Sequence, residues 1–216
     1  MERLISLLLN STLETIIMVI FSTGFSLLLG IPLGVLLVIT RKNHIWPNTK
    51  LNNILSGIIN ISRSVPFIIL MILVFPISRL ILGTTIGTKA TIIPLSIAAT
   101  PFVARIIENS LLEVDPGILE AVKSMGAKPL QIVLRVLIPE SLPSLVLGVT
   151  ITMINIISYS AMAGAIGGGG LGNLAIRYGF HRFETDILIA SVIVLIILVQ
   201  FVQLSGNKLS EKLDKK

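Results

Sequence analysis

The stretch DPGILEAVKSMGAKPLQIVLRVLIPESLP, residues 115–143, is a polar, helix-forming island in a chain that is otherwise mostly apolar enough for a membrane. Asp115 is placed to cap a helix whose first position is Pro116, a residue that needs no N–H there. Ile118, Val122 and Met125 repeat at i, i+4, i+7 with Ala121 beside them, while Glu120, Lys123 and Ser124 share the opposite face. Gly126 is positioned to end that helix, and Pro129 suits the first turn of the next. In this second helix Leu130, Val133, Leu134 and Leu137 fall at i, i+3, i+4, i+7, and Pro139 biases Ile138 away from helical angles, closing it. The pattern predicts two short amphipathic helices broken at a glycine, sharing one apolar seam that fits a groove on a partner protein.

Outward from the island, composition sets the class. The 216 residues are 53% hydrophobic and 13% charged, with a mean hydropathy of +0.95, as in polytopic membrane proteins. The predicted fold is all-α, a single transmembrane domain over 1–216. With no cysteine, disulfides, thiolate chemistry and cysteine-ligated metals are excluded. The net charge of +6 is spread over the loops between apolar runs, which argues for membrane topology and against a nucleic-acid partner.

Five spans are expected, at about 15–40, 54–76, 90–108, 142–163 and 187–204, with a cytoplasmic loop over 109–140. The first is too long for a signal-peptide core, and its Gly30 and Gly34 form a small-xxx-small pair that admits another helix closely. A second helix from about Ile54 to Phe75 carries Arg63 roughly 14 Å inside one end at ~1.5 Å per residue. That arginine either snorkels to the interface or lines a polar path. In the third span only ~22 Å of helix separates Lys89 from Arg105, so both must snorkel. The run after Ser141 divides into the fourth span and an external glycine-rich loop, Gly164 to Gly172. Of the 17 Lys and Arg, only Arg3, Arg79, Lys89, Arg177 and Arg182 then lie outside, which puts the N-terminus outside and the C-terminus inside.

Gly167, Gly169 and Gly172 spell G-x-G-x-x-G, but they follow a membrane span and lack the strand that a dinucleotide site needs. No phosphate-loop sequence occurs, and none of the 11 acidic residues falls at the centre of a proposed span. Ion-coupled carriers commonly depend on intramembrane carboxylates or broken helices, so energy is expected from another subunit. His44 and His181 stand alone on opposite sides, leaving no constellation for a metal or a triad. The fourth span carries the candidate substrate contacts Asn155, Ser158, Tyr159, Ser160 and Met162; Ser in such helices commonly satisfies the backbone instead.

The island also resembles the coupling motif of ABC importer permeases, Glu-Ala-Ala, three residues, Gly, nine residues, Ile-x-Leu-Pro. Glu120, Ala121, Gly126 and Pro139 match it, while Val122, Val136 and Ile138 depart conservatively. Together with RSVPFII at 63–69, TPFVARIIEN at 100–109 and YSAMAGAIGGGGLG at 159–172, the whole chain resembles the permease subunit of bacterial methionine-importing ABC transporters. The resemblance implies a non-enzymatic inner-membrane subunit that acts as a homodimer. It also implies two cytoplasmic ATPase subunits that bind the ATP, and an external lipoprotein delivering L-methionine and D-methionine. Coupling to the ATPase would fall to Glu120, Ala121, Val122, Lys123, Gly126 and Pro139. A permease for another small solute keeps the same architecture, and a polytopic protein without an ATPase would leave the island as a surface helix.

Overall fold

The computed structural model describes residues 2–214, so Lys215 and Lys216, counted above for orientation, lie outside the described residues. Ten helical segments follow one another: α1 (Glu2–Ile39), α2 (Thr49–Ser64), α3 (Phe67–Leu82), α4 (Thr88–Leu112), α5 (Pro116–Ser124), α6 (Pro129–Ile132), α7 (Ile138–Glu140), α8 (Leu142–Gly164), α9 (Gly170–Leu174) and α10 (Thr185–Leu213). Two π-helical turns, Val133–Leu137 and Ala175–Phe180, join α6 to α7 and extend α9. No strand occurs among the described residues. α1, α4, α8 and α10 are each long and apolar enough to cross a membrane.

α4 is the element the others surround. On α1, the small-xxx-small pair lets the two backbones meet: a β-carbon on Gly30 would lie 2.5 Å from Val103, and one on Gly34 would lie 2.6 Å from Ile107. Toward one end, Val38, Val103, Ile107 and Leu111 join Ile132, Val133 and Leu137 in a buried cluster. Toward the other, Met18, Val19, Leu95 and Ala99 pack with Ile156 and Ile157.

Four expectations change. α1 begins at Glu2, not near residue 15, so Glu14 lies within the helix. The single helix expected over 54–76 is two 16-residue helices bent by 106°. Pro66 is the cause: it disfavours helical angles at the residue before it, and Val65 sits at φ −81°, ψ 125°. Arg63 is thereby in the last turn of α2, at the break. Arg105, expected to reach for the interface, is tied to neighbouring groups of the fold. It pairs with the buried Glu108 at 2.5 Å and donates to Asn60 Oδ1 of α2 at 2.9 Å.

The glycine-rich stretch, expected as an external loop, is instead a turn and a short helix packed into the fold. Gly170 N–H donates to Glu14 Oε2 at 2.6 Å, and Leu171 N–H to Thr15 Oγ1 at 2.9 Å. Gly167 and Gly169, at φ +86° and +85°, make the turn, and a side chain on Gly172 would overlap the Ala161 backbone.

Contacts sort the loops to two ends. Lys123 reaches the His44 carbonyl at 2.9 Å and Ser210 Oγ reaches the Pro143 carbonyl at 3.0 Å, which gathers the 40–48 loop, the island and the C-terminal helix at one end. At the other, Gly87 N–H bonds the Gly167 carbonyl at 2.9 Å beside the Glu14 contact.

Candidate functional site

The island folds from its local chemistry much as its residue order demands. Asp115 accepts from Gly117 N–H at 2.6 Å and opens α5 ahead of Pro116. At the far end Gly126 takes φ +75°, its N–H bonding the Lys123 carbonyl at 2.9 Å while Ala127 N–H reaches Val122 at 3.4 Å. These are the two bonds of a Schellman stop, which a glycine adopts without strain. Lys128 N–H bonds the Gln131 side chain at 2.9 Å and opens α6.

The two helices do not share the single seam expected. Val133 and Leu137 turn inward with Ile132, which the spacing argument missed. Met125, Leu130 and Leu134 are 85%, 68% and 56% exposed, so these apolar side chains stand outside the inner cluster. Nor does Pro139 end the helix at Ile138, which sits at φ −64°, ψ −49°. The π turn ahead of it shifts the bonding register, with Ile138 N–H reaching back five residues to Val133, and the wider turn accommodates a proline. The helix stops at Ser141, φ −91°, ψ 5°.

Glu120, Ala121, Gly126 and Pro139 are exposed, Val122 is half-buried against the inner cluster, and Lys123 is tied to His44. Burial first, then the charges of Lys123 and Arg41, holds the His44 imidazole below the usual histidine range. Its Nδ1 is buried without a hydrogen-bond partner. Beside the start of α5, Glu113, Asp115, Glu140 and Asp214 border a cleft of about 680 Å³.

The five candidate substrate contacts are not one surface. Asn155 and Tyr159, one turn apart on α8, line a cavity of about 350 Å³ with Ser62, Arg63, Phe67 and Phe102. Phe67 stacks on Tyr159, centroids 4.4 Å apart and nearly parallel. Ser158 and Met162, on another face, line a different hollow against α10 with Leu195, Ile196 and Val199. Ser160 is buried and bonds the Ile157 carbonyl at 2.7 Å. Of these five, then, Asn155 and Tyr159 meet the arginine at the α2–α3 break. The available sequence signal was Pro66 three residues after the proposed span's only central charge. A further groove of about 490 Å³ between α1, α4, α8 and α10 is walled almost wholly by Ile, Leu, Val, Met and Phe, unsuited to a polar solute.

Residues 26–216 match the family described as binding-protein-dependent transport system inner membrane component. Among curated proteins, the chain is 52% identical over 208 residues to a probable D-methionine transport system permease protein of Vibrio cholerae, covering 96% of this chain and 92% of that one. It is 50% identical over 204 residues to the corresponding Pasteurella multocida protein, covering 94% of each. Among solved structures it superimposes with a TM-score of 0.98, at 43% identity and over 100% of both chains, on a chain of the MetNI methionine ABC transporter in inward-facing conformations. With nearly its whole length matched, the chain belongs to the family of binding-protein-dependent transport system inner membrane components.

Proposed function

We propose that this chain is the membrane-spanning permease subunit of an ATP-driven methionine importer of the bacterial inner membrane. Two copies work with two cytoplasmic ATPase subunits, which bind and hydrolyse the ATP. An external substrate-binding lipoprotein delivers L-methionine or D-methionine. The observation that carries this reading is the end-to-end likeness, in sequence and in backbone, to permease chains of methionine transporters.

The island supports a coupling role by having two apolar sides. Met125, Leu130 and Leu134 offer anchors to a groove on the ATPase, next to exposed Glu120 and Ala121. Ile132, Val133 and Leu137 bind the same element to Val103, Ile107 and Leu111 of α4, and Lys123 binds it to the loop after α1. A displacement of the docked island is therefore passed to the central helix. Transport proceeds by alternating access: ATP closes the ATPase dimer, the islands move with it, and the spans shift from inward-open to outward-open. ATP drives this shift only by binding one state more tightly than the other.

The test is uptake of labelled L-methionine in cells lacking their own importer, with the chain co-expressed with its ATPase and binding protein. Native uptake, lost in Gly126→Trp with the protein still inserted, is the expected result. A side chain at φ +75° is strained even though the space around Gly126 is open, so the Schellman stop is broken without a clash. Normal uptake by that variant removes the coupling role, and no uptake by an assembled native complex removes methionine as cargo.

A further inference from the structure

We propose that the cavity at the α2–α3 break recognises the carboxylate of the transported amino acid, with Arg63 as its charged contact and Asn155 and Tyr159 as neighbouring hydrogen-bonding groups. This rests on the permease reading and deepens it.

An arginine within a membrane-spanning region is costly and needs a partner. Arg105 has three, Glu108, Asn60 and the Ser56 carbonyl. Arg63 has no hydrogen bond or ion pair among the described residues, and it lines a cavity that no acidic side chain borders. Asn155 and Tyr159 face the same space, and neither side chain spends its hydrogen-bonding capacity within the described chain. One uncompensated positive charge beside two neutral polar groups is suited to an anion. A planar carboxylate matches the guanidinium fork, and bonds of this kind are stronger than neutral ones.

The rest of the wall suits a zwitterion with an apolar side chain better than a bare anion. Phe67, Leu70 and Phe102 supply apolar surface, and stacking on Phe67 fixes the Tyr159 ring. The Asn155 carbonyl oxygen and the Tyr159 hydroxyl can accept from an ammonium group. The volume of about 350 Å³ admits a small amino acid. Arg63 and Phe67 stand on either side of the break at Val65, so the 106° bend is what brings both to this cavity.

Because the chain has no cysteine, a thiol placed in the cavity reports on it directly. Ala98→Cys, or Ser62→Cys where that variant fails to assemble, is reconstituted with the ATPase and binding protein in proteoliposomes. Maleimide alkylation of this chain is followed by mass spectrometry, with methionine or with methioninol, whose carboxylate is reduced to an alcohol. Methionine uptake is measured on the same vesicles. The expected result is protection by methionine and none by methioninol at equal concentration. Arg63→Gln raises the concentration for half-protection roughly 10- to 100-fold, as for loss of a charge-assisted bond. Arg63→Lys falls between, and Arg79→Gln, an exposed arginine away from the cavity, changes nothing. Equal protection by methioninol, no protection in vesicles that take up methionine, or protection unchanged by Arg63→Gln overturns the carboxylate site. Absence of uptake by the assembled native complex overturns the permease reading and this inference with it.

Discussion

At Gly34 a methyl group has nowhere to go: its carbon would lie 2.6 Å from Ile107 Cβ and 2.7 Å from the Ala104 carbonyl oxygen, part of a helix backbone that cannot step aside. Gly34→Ala is expected to cost about 1–3 kcal/mol through overpacking, lowering the melting temperature of the purified chain. Gly24, on the same helix with nothing near its would-be side chain, is the control; Gly24→Ala should leave the melting temperature unchanged or raise it slightly. His44 makes a second residue-scale prediction. Burial, then Lys123 and Arg41, lower the folded imidazole's hold on a proton, so the unfolded chain takes up the proton first as pH falls through the ordinary value of 6.5. Proton uptake by the unfolded state favours unfolding, so stability declines below that pH. His44→Gln should flatten the fall in melting temperature between pH 7.5 and pH 5.5, and an undiminished fall removes His44 as its source.

Among the elements, α9 depends most on a single distant side chain. Its first N–H groups point at Glu14 and Thr15 of α1, and a carboxylate at a helix start is favoured by charge as well as by hydrogen bonding. Glu14→Ala should weaken the α1–α9 tie by about 1.5–3 kcal/mol, with Glu14→Gln losing less because it keeps an acceptor. Hydrogen exchange of the 167–174 amides reads this directly: faster exchange in Glu14→Ala is expected, and unchanged protection means the tie is incidental. Neither partner was legible as such in the residue order. Glu14 directly precedes the apolar run from residue 15 and the glycines have the composition of a loop, and the hydrogen bond between them joins residues 156 positions apart.

Over the whole molecule, the two-ended sorting of the loops fits an odd number of crossings, which is five if the bent α2–α3 pair counts as one span. The excess of Lys and Arg in the 40–50 loop and the island predicts a cytoplasmic position for that end. Lys42→Cys and Thr84→Cys, each the sole thiol of its chain, test this in intact cells with a membrane-impermeant maleimide. Thr84→Cys should label without permeabilisation and Lys42→Cys only after it. The reverse pattern inverts the topology and removes the island from the reach of a cytoplasmic ATPase.

The sequence by itself determined what depends on neighbours along the chain. Apolar run lengths marked the long helices, Asp115 and Pro116 marked the start of α5, and Gly126 marked its stop, because caps and turns are closed by residues two to five positions apart. Pro66 also carried its break locally, although the long apolar run around it, charged only at Arg63, masked the signal. Tertiary structure alone decided which apolar side of the island faces inward, since Val133 and Leu134 are adjacent in sequence and only the position of α4 separates a buried residue from an exposed one. It alone separated Asn155 and Tyr159 from Ser158 and Met162, and set the first pair beside Arg63, because helices bring together residues one turn apart and only packing chooses the neighbour.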